Sequence, residues 1–230
     1  MTSRQNKLLK TIVDEYIKTA QPVGSELIAE KYRLNSSPAT IRNEMVTLTD
    51  LGFLSQPHIS AGRVPTQKAY RYYIENFLGG EINQRDKAVL KNIKTKKTEE
   101  NLMKQLSKQI AELAGQLSIL ALDKNNFYYT GFSYLFSQPE FSHPSLVYNV
   151  SQIVDRLDNI LAKIFNEVGE ETEILIGEDN PFGEFCGTIL SRYRLSGQRS
   201  GLFGLLGPIR MDYNRNVGII DYVKELLTYL

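Results

Sequence analysis

Residues 36–51, SSPATIRNEMVTLTDL, constrain this chain most, because they carry a full set of helix instructions. Ser37 offers a side-chain oxygen to a free backbone N–H. Pro38 follows at the first helical position, where a missing N–H costs nothing. Ile41, Met45 and Leu48 then recur at intervals of four and three residues and mark one apolar face. Gly52 can adopt the positive φ that ends a helix. The remaining surface carries Thr40, Arg42, Asn43 and Thr47, whose donors and acceptors suit base edges and phosphates. A merely solvated face has the same composition, so the neighbouring segments decide.

Upstream, Ser3 is placed to cap a helix reaching to about Thr19, with Leu9, Ile12, Val13, Tyr16 and Ile17 as its buried stripe. Pro22 and Gly24 break it, and Gly24 or Ser25 opens a short helix containing Leu27, Ile28 and Tyr32. Residues 35–37 form the turn before the central helix. Helix, short helix, turn, helix is the helix-turn-helix order, in which the last helix is offered to a major groove. Downstream, FLSQPHISAGRV reads as two short strands around a tip containing Pro57 and Gly62. That is a wing, with His58 and Arg63 on or beside it as candidates for phosphate or minor-groove contact. Thr66 caps a fourth helix whose Ala69, Tyr70, Tyr73, Ile74 and Phe77 face inward.

Gly79 and Gly80 mark a boundary, giving a winged-helix domain over residues 1–78. Residues 79–121 read as a helical linker. Within it Leu102, Leu106, Ile110, Leu113, Leu117 and Leu120 approximate a heptad seam. Two readings are open: a dimerisation helix with Leu102, Leu106, Ile110, Leu113 and Leu117 between chains, or a surface helix laid against one domain. Lys94, Lys96 and Lys97 are either a phosphate patch or a solvated face. Residues 122–230 read as an α+β domain. Its strands are expected at 127–130, 173–177, 186–193 and 201–206, the last two separated by a polar turn around Gly197. Helices are expected at 150–168 and 217–230, on one side of the antiparallel sheet.

Charge is distributed unevenly along this plan. Residues 1–78 hold ten Lys and Arg against seven Asp and Glu, whereas residues 119–230 hold nine against fourteen. A mildly basic front and an acidic back suit a nucleic-acid reader joined to a second module. Cys186 is the single cysteine, so the chain can form no intrachain disulfide and no cysteine metal site, which fits a reducing, cytoplasmic setting. No signal peptide and no apolar run of membrane-spanning length is present.

GSELIAEKY, SPATIRNEM, LGFL, QPHISAGRVPT and KAYRYYI, spread through residues 4–78, resemble the bacterial heat-inducible transcription repressors of the HrcA family. Ile59 stands where that family usually has threonine. The resemblance places Ser37, Thr40, Arg42 and Asn43 in the recognition-helix motif, and His58, Ser60, Gly62 and Arg63 in the wing motif. GFSYLFSQPEF, IGEDNP and GLFGLLGPIRMDY resemble the family's C-terminal half, which is GAF-like. A long segment usual before GFSYLF is missing here, so the resemblance implies a reduced GAF-like domain with an uncovered sheet edge. It also implies a homodimer on an inverted-repeat duplex upstream of chaperone genes, with a GroEL-type chaperonin as regulatory partner.

The same residues disfavour catalysis. The glycines of the second half form no phosphate loop with a following Lys-Ser or Lys-Thr. Glu178 and Asp179 sit in a turn, Cys186 lies in an apolar strand, and two histidines apart from any carboxylate cluster make no zinc site. The expectation is a DNA-binding transcriptional repressor without cofactor or enzymatic activity. Its rivals are a winged-helix regulator of other genes with an altered signal, and a protein-interaction module that no longer reads DNA.

Overall fold

The computed structural model describes residues 1–32, 36–93, 98–142, 144–195 and 200–228. The lysines at 94, 96 and 97, the turn around Gly197 and residue 35 of the turn before the central helix lie outside these. The chain forms two compact units, Met1–Leu78 and Gly79–Leu230.

In the first unit, α1 (Ser3–Thr19), α2 (Ser25–Tyr32) and α3 (Pro38–Asp50) precede a ribbon of β1 (Leu54–Ser55) and β2 (Val64–Pro65), and α4 (Gln67–Phe77) closes it. The cap of α1 is Thr2 rather than Ser3. Its hydroxyl accepts the N–H of Gln5 while the Gln5 side chain accepts the N–H of Thr2, a capping box. Leu8, Leu9, Ile12 and Val13 of α1 meet Ile28, Ile41, Met45, Leu48, Tyr70 and Tyr73 in the core of the unit. Polar pins fix the angles between helices. Tyr72 donates to Asn6 at 3.0 Å and Tyr73 to Asp14 at 2.7 Å, holding α4 on α1. Lys31 donates to both carboxylate oxygens of buried Glu15, and Tyr32 donates to the same group, holding α2 on α1.

The second unit opens with α5 (Gln84–Lys91) and α6 (Glu99–Ala114). Strands β3 (Leu117–Asp123) and β4 (Asn126–Thr130) follow, then α7 (Phe132–Phe136), α8 (Pro144–Val154) and α9 (Leu157–Ile164). It ends with β5 (Glu173–Ile176), β6 (Cys186–Arg194), β7 (Ser200–Pro208) and α10 (Tyr213–Thr228). The five strands form one antiparallel sheet in the order β4-β3-β7-β6-β5.

Five expectations about this unit are corrected. First, residues 101–120 are not one helix. Gly115 takes φ +63 and terminates α6, and the apolar run continues as β3. Second, the Leu/Ile seam is used within the unit. Leu106, Ile110 and Leu117 are buried there, with Leu117 on a strand, while Leu102 and Leu113 are half-buried. Residues 79–121 are thus part of the second unit rather than a free linker, and the buried members of the seam are closed to a second chain. Third, the sheet has five strands rather than the four expected, because β3 adds one, paired between β4 and β7. Fourth, helices cover both faces. Leu117, Ile119, Ala121, Leu190, Leu202 and Leu206 pack with Leu135, Val150, Leu157 and Leu161 on one side. On the other, Ser118 of β3 meets Ser107 of α6 at 2.9 Å, and α10 lies along β6. Asp86 of α5 accepts two bonds from Arg215 of α10, at 2.9 and 3.0 Å, tying those helices together. Fifth, the expected helix at 150–168 is broken at residues 155–156 into α8 and α9.

Candidate nucleic-acid interface

Helix α3 is held at both ends and along one flank, which leaves its outer face fixed in space. At its start the Ser37 hydroxyl accepts the Thr40 N–H at 3.2 Å and shares a hydrogen bond with the Thr40 hydroxyl at 2.9 Å. Both side chains therefore serve the cap, although both are exposed. At its end Gly52 takes φ +76, and the N–H groups of Gly52 and Phe53 return to the carbonyls of Thr49 and Leu48, both at 2.9 Å. Lys68 donates to the Leu51 carbonyl at 2.8 Å, a cation at the negative end of the helix. Arg4 pairs with Glu44 at 2.9 Å on the flank. The outer face then presents Ala39, Arg42, Asn43, Val46 and Thr47, all exposed. The Thr47 hydroxyl donates back to the Asn43 carbonyl at 3.2 Å. The Arg42 and Asn43 side chains have no hydrogen-bond partner among the described residues.

The wing is a small antiparallel ribbon with Leu54 opposite Pro65 and Ser55 opposite Val64. A third rung comes from the segment before α2. Val23 and Arg63 exchange both backbone hydrogen bonds at 2.9 Å. Gly62 permits that approach, since a Cβ there would stand 2.5 Å from the Val23 carbonyl carbon and oxygen. Gly62 is therefore a packing requirement of the wing. At the tip the Gln56 amide donates to the carbonyls of Ile59 at 2.8 Å and Ala61 at 3.0 Å, and Ala61 N–H donates to His58 O at 2.9 Å. His58, Ile59 and Ser60 project outward.

Between α3 and the wing runs a notch of about 420 Å³, lined by Arg42, Gln56, Ile59, Ser60, Gly62 and Arg63 among others, and closed at one end by the start of α2. Arg63 is half-buried, and its Nε is buried with no hydrogen-bond partner among the described residues. The notch thus joins Arg42, Ser60, Gly62 and Arg63. Asn43, Thr47 and His58 lie on the surfaces beside it, and Ser37 and Thr40 at the head of α3. Val46, Gln56 and Ile59 belong to this surface but were not among the sequence-predicted contacts, nor were Ala39 on the outer face and Glu26 in the notch. Val46 carried a signal, lying four residues after Arg42 and three after Asn43 on the same face. The role of Gln56 depends on tip geometry, which no local pattern encodes.

Elsewhere, no group of three or more His, Cys, Asp or Glu among the described residues is placed to hold a metal. Burial pushes the Cys186 thiol up to about 12, so it stays protonated and unreactive. No described helix is long and apolar enough to cross a membrane.

A helix-turn-helix with a rigidly capped third helix, an exposed outer face carrying Arg42, Asn43 and Thr47, and an ordered wing defines a winged-helix DNA-binding regulator. Comparison with known proteins narrows the class. Residues 1–76 match the family model described as "Winged helix-turn-helix transcription repressor, HrcA DNA-binding", and residues 39–217 match "HrcA protein C terminal domain". The heat-inducible transcription repressor HrcA of Halalkalibacterium halodurans is 25% identical over 335 aligned positions, which cover 100% of this chain and 97% of the relative. That of Natranaerobius thermophilus is 27% identical, with 98% and 95% covered. A solved structure described only as a hypothetical protein superposes with a TM-score of 0.82 at 18% identity, over 100% of this chain and 98% of that one, and supports the fold alone. The chain belongs to the HrcA family, and it is a sequence-specific DNA-binding transcriptional repressor of that heat-shock regulator family. Members of the family are transcriptional regulators, not enzymes. An alignment of 335 positions against 230 residues leaves roughly a hundred positions of the first relative without a counterpart here.

Proposed function

We propose that the chain binds, as a homodimer, an inverted-repeat operator controlling heat-shock chaperone genes. Arg42, Asn43 and Thr47 read base edges in the major groove, while Arg63, His58 and Ser60 hold the phosphate backbone. Ser37 and Thr40 support the head of the reading helix, and Gly62 shapes the wing. The observation that carries this reading is the outer face of α3. Its Arg42 and Asn43 are the side-chain types that pair bidentately with guanine and adenine, and among the described residues they have no side-chain partner on a helix fixed at both ends. We assign the second unit as a GAF-like assembly domain that meets the second protomer and a GroEL-type chaperonin. Both faces of its sheet are filled by side chains, which fits an assembly surface better than a metabolite chamber. Selecting bound duplexes from a random pool tests the proposal. A two-fold symmetric motif with half-sites one or more helical turns apart is expected. An enriched motif lacking two-fold symmetry would contradict the dimeric reading.

A further inference from the structure

We propose that Ile59 is an apolar wedge that enters the minor groove beside the α3 site and bends the duplex. This inference rests on the DNA-binding reading above and adds a contact to it. Single exposed apolar residues are common on protein surfaces and need no explanation by themselves. Ile59 differs in three respects. Its relative exposure is 99%, so it contributes nothing to the fold of its own unit. Its backbone is nonetheless held, because the Gln56 amide clamps the carbonyls on either side of the tip, and the third rung between Val23 and Arg63 anchors the base of the wing. It also lines the same notch as Arg42.

The notch sets the geometry. With α3 in the major groove, the next feature of a duplex toward the wing is the sugar–phosphate ridge. The notch carries two arginines, Arg42 from the helix and Arg63 from the base of the wing, with Ser60, against the single carboxylate of Glu26 at the start of α2, so its balance of charge favours that ridge. A tip reaching past the ridge arrives in the minor groove. Tip residues 56–63 contain no acidic side chain that would be repelled there. Isoleucine is branched at Cβ and stiff about χ1, so it loses little freedom on insertion. Apolar wedges of this kind partly unstack a base step and bend the duplex toward the major groove.

The test uses the full chain with Ile59→Ala and Ile59→Leu. The probes are the duplex enriched by the selection above and a scrambled duplex of equal length. Affinity is read by fluorescence anisotropy across a salt series, and bending by energy transfer between dyes at the duplex ends. Because the side chain is fully exposed, thermal melting of both variants should match that of the parent. Ile59→Ala is expected to weaken binding to both duplexes about tenfold and to reduce the bend. The salt slope should not change, since no counterion is released by an apolar contact. Ile59→Leu should retain most of the affinity and the bend. Unchanged affinity and bend in Ile59→Ala would overturn the proposal. A loss of affinity with a changed salt slope and an unchanged bend would also overturn it, as would an altered oligomeric state with intact DNA binding. Failure of the DNA-binding reading would look different: the parent protein itself would show no preference for the enriched duplex.

Discussion

Glu15 shows how one buried side chain makes the stability of the DNA-binding unit depend on pH. Its side chain is 3% exposed, and the carboxylate is held below its usual range by the hydrogen bond from Lys31, then by that from Tyr32, against the opposing cost of burial. A carboxylate whose folded pKa is depressed stabilises the fold above its unfolded value, near 4.5 here, and that contribution disappears as pH falls through the lower folded value. Glu15→Gln should therefore be less stable than the parent at pH 7, and the gap should narrow as pH drops from about 5 toward 3. Urea denaturation at several pH values measures it, and a gap independent of pH would show that the clamp is not electrostatic. Arg63 gives a second prediction at this scale. As a phosphate contact, Arg63→Ala should weaken binding to enriched and scrambled duplexes alike and lower the salt slope by about one unit. An unaltered slope would assign Arg63 to wing packing alone. Much of this level was legible in the sequence. Ser37, Pro38 and Gly52 act locally, and each took the role its chemistry allows. Glu15 was not legible, because Lys31 and Tyr32 lie a helix away in sequence and meet it only when α2 folds against α1.

The elements divide along the same line. α3, α4 and the wing are bounded by short-range signals, and their limits follow the caps at Ser37 and Thr66. The stretch from Glu99 to Asp123 is the instructive failure. Spacings of four and three run on from α6 into β3, so the pattern imitates one long amphipathic helix. A central strand covered by helices on both faces is buried at successive positions and shows no alternation of period two. Gly115 was the available signal, as a left-handed cap followed by a short apolar run. Because Leu106 packs inside its own unit at 3% exposure, Leu106→Ala should destabilise that unit by about 2–5 kcal/mol. The expected result is a lower midpoint in thermal melting with dimerisation unaffected below it. A variant that melts like the parent but sediments as a monomer would return the seam to the interface.

At the scale of the whole molecule, a chain roughly a hundred positions short of its relatives keeps both a winged helix and an open five-stranded sheet covered by helices on both faces. The absent segment is dispensable for the core, which explains why the missing length was a poor guide to the number of strands. What the molecule does depends on whether α3 reads sequence, and Arg42 is the residue most exposed to that question. The most direct measurement is the ratio of dissociation constants for enriched and scrambled duplexes at one salt concentration, in the parent and in Arg42→Ala. A base-reading arginine carries about 1–3 kcal/mol of discrimination, so the ratio should fall by roughly 5- to 150-fold while scrambled binding changes much less. A ratio equal to that of the parent would contradict the assignment of α3 as the element that recognises the operator.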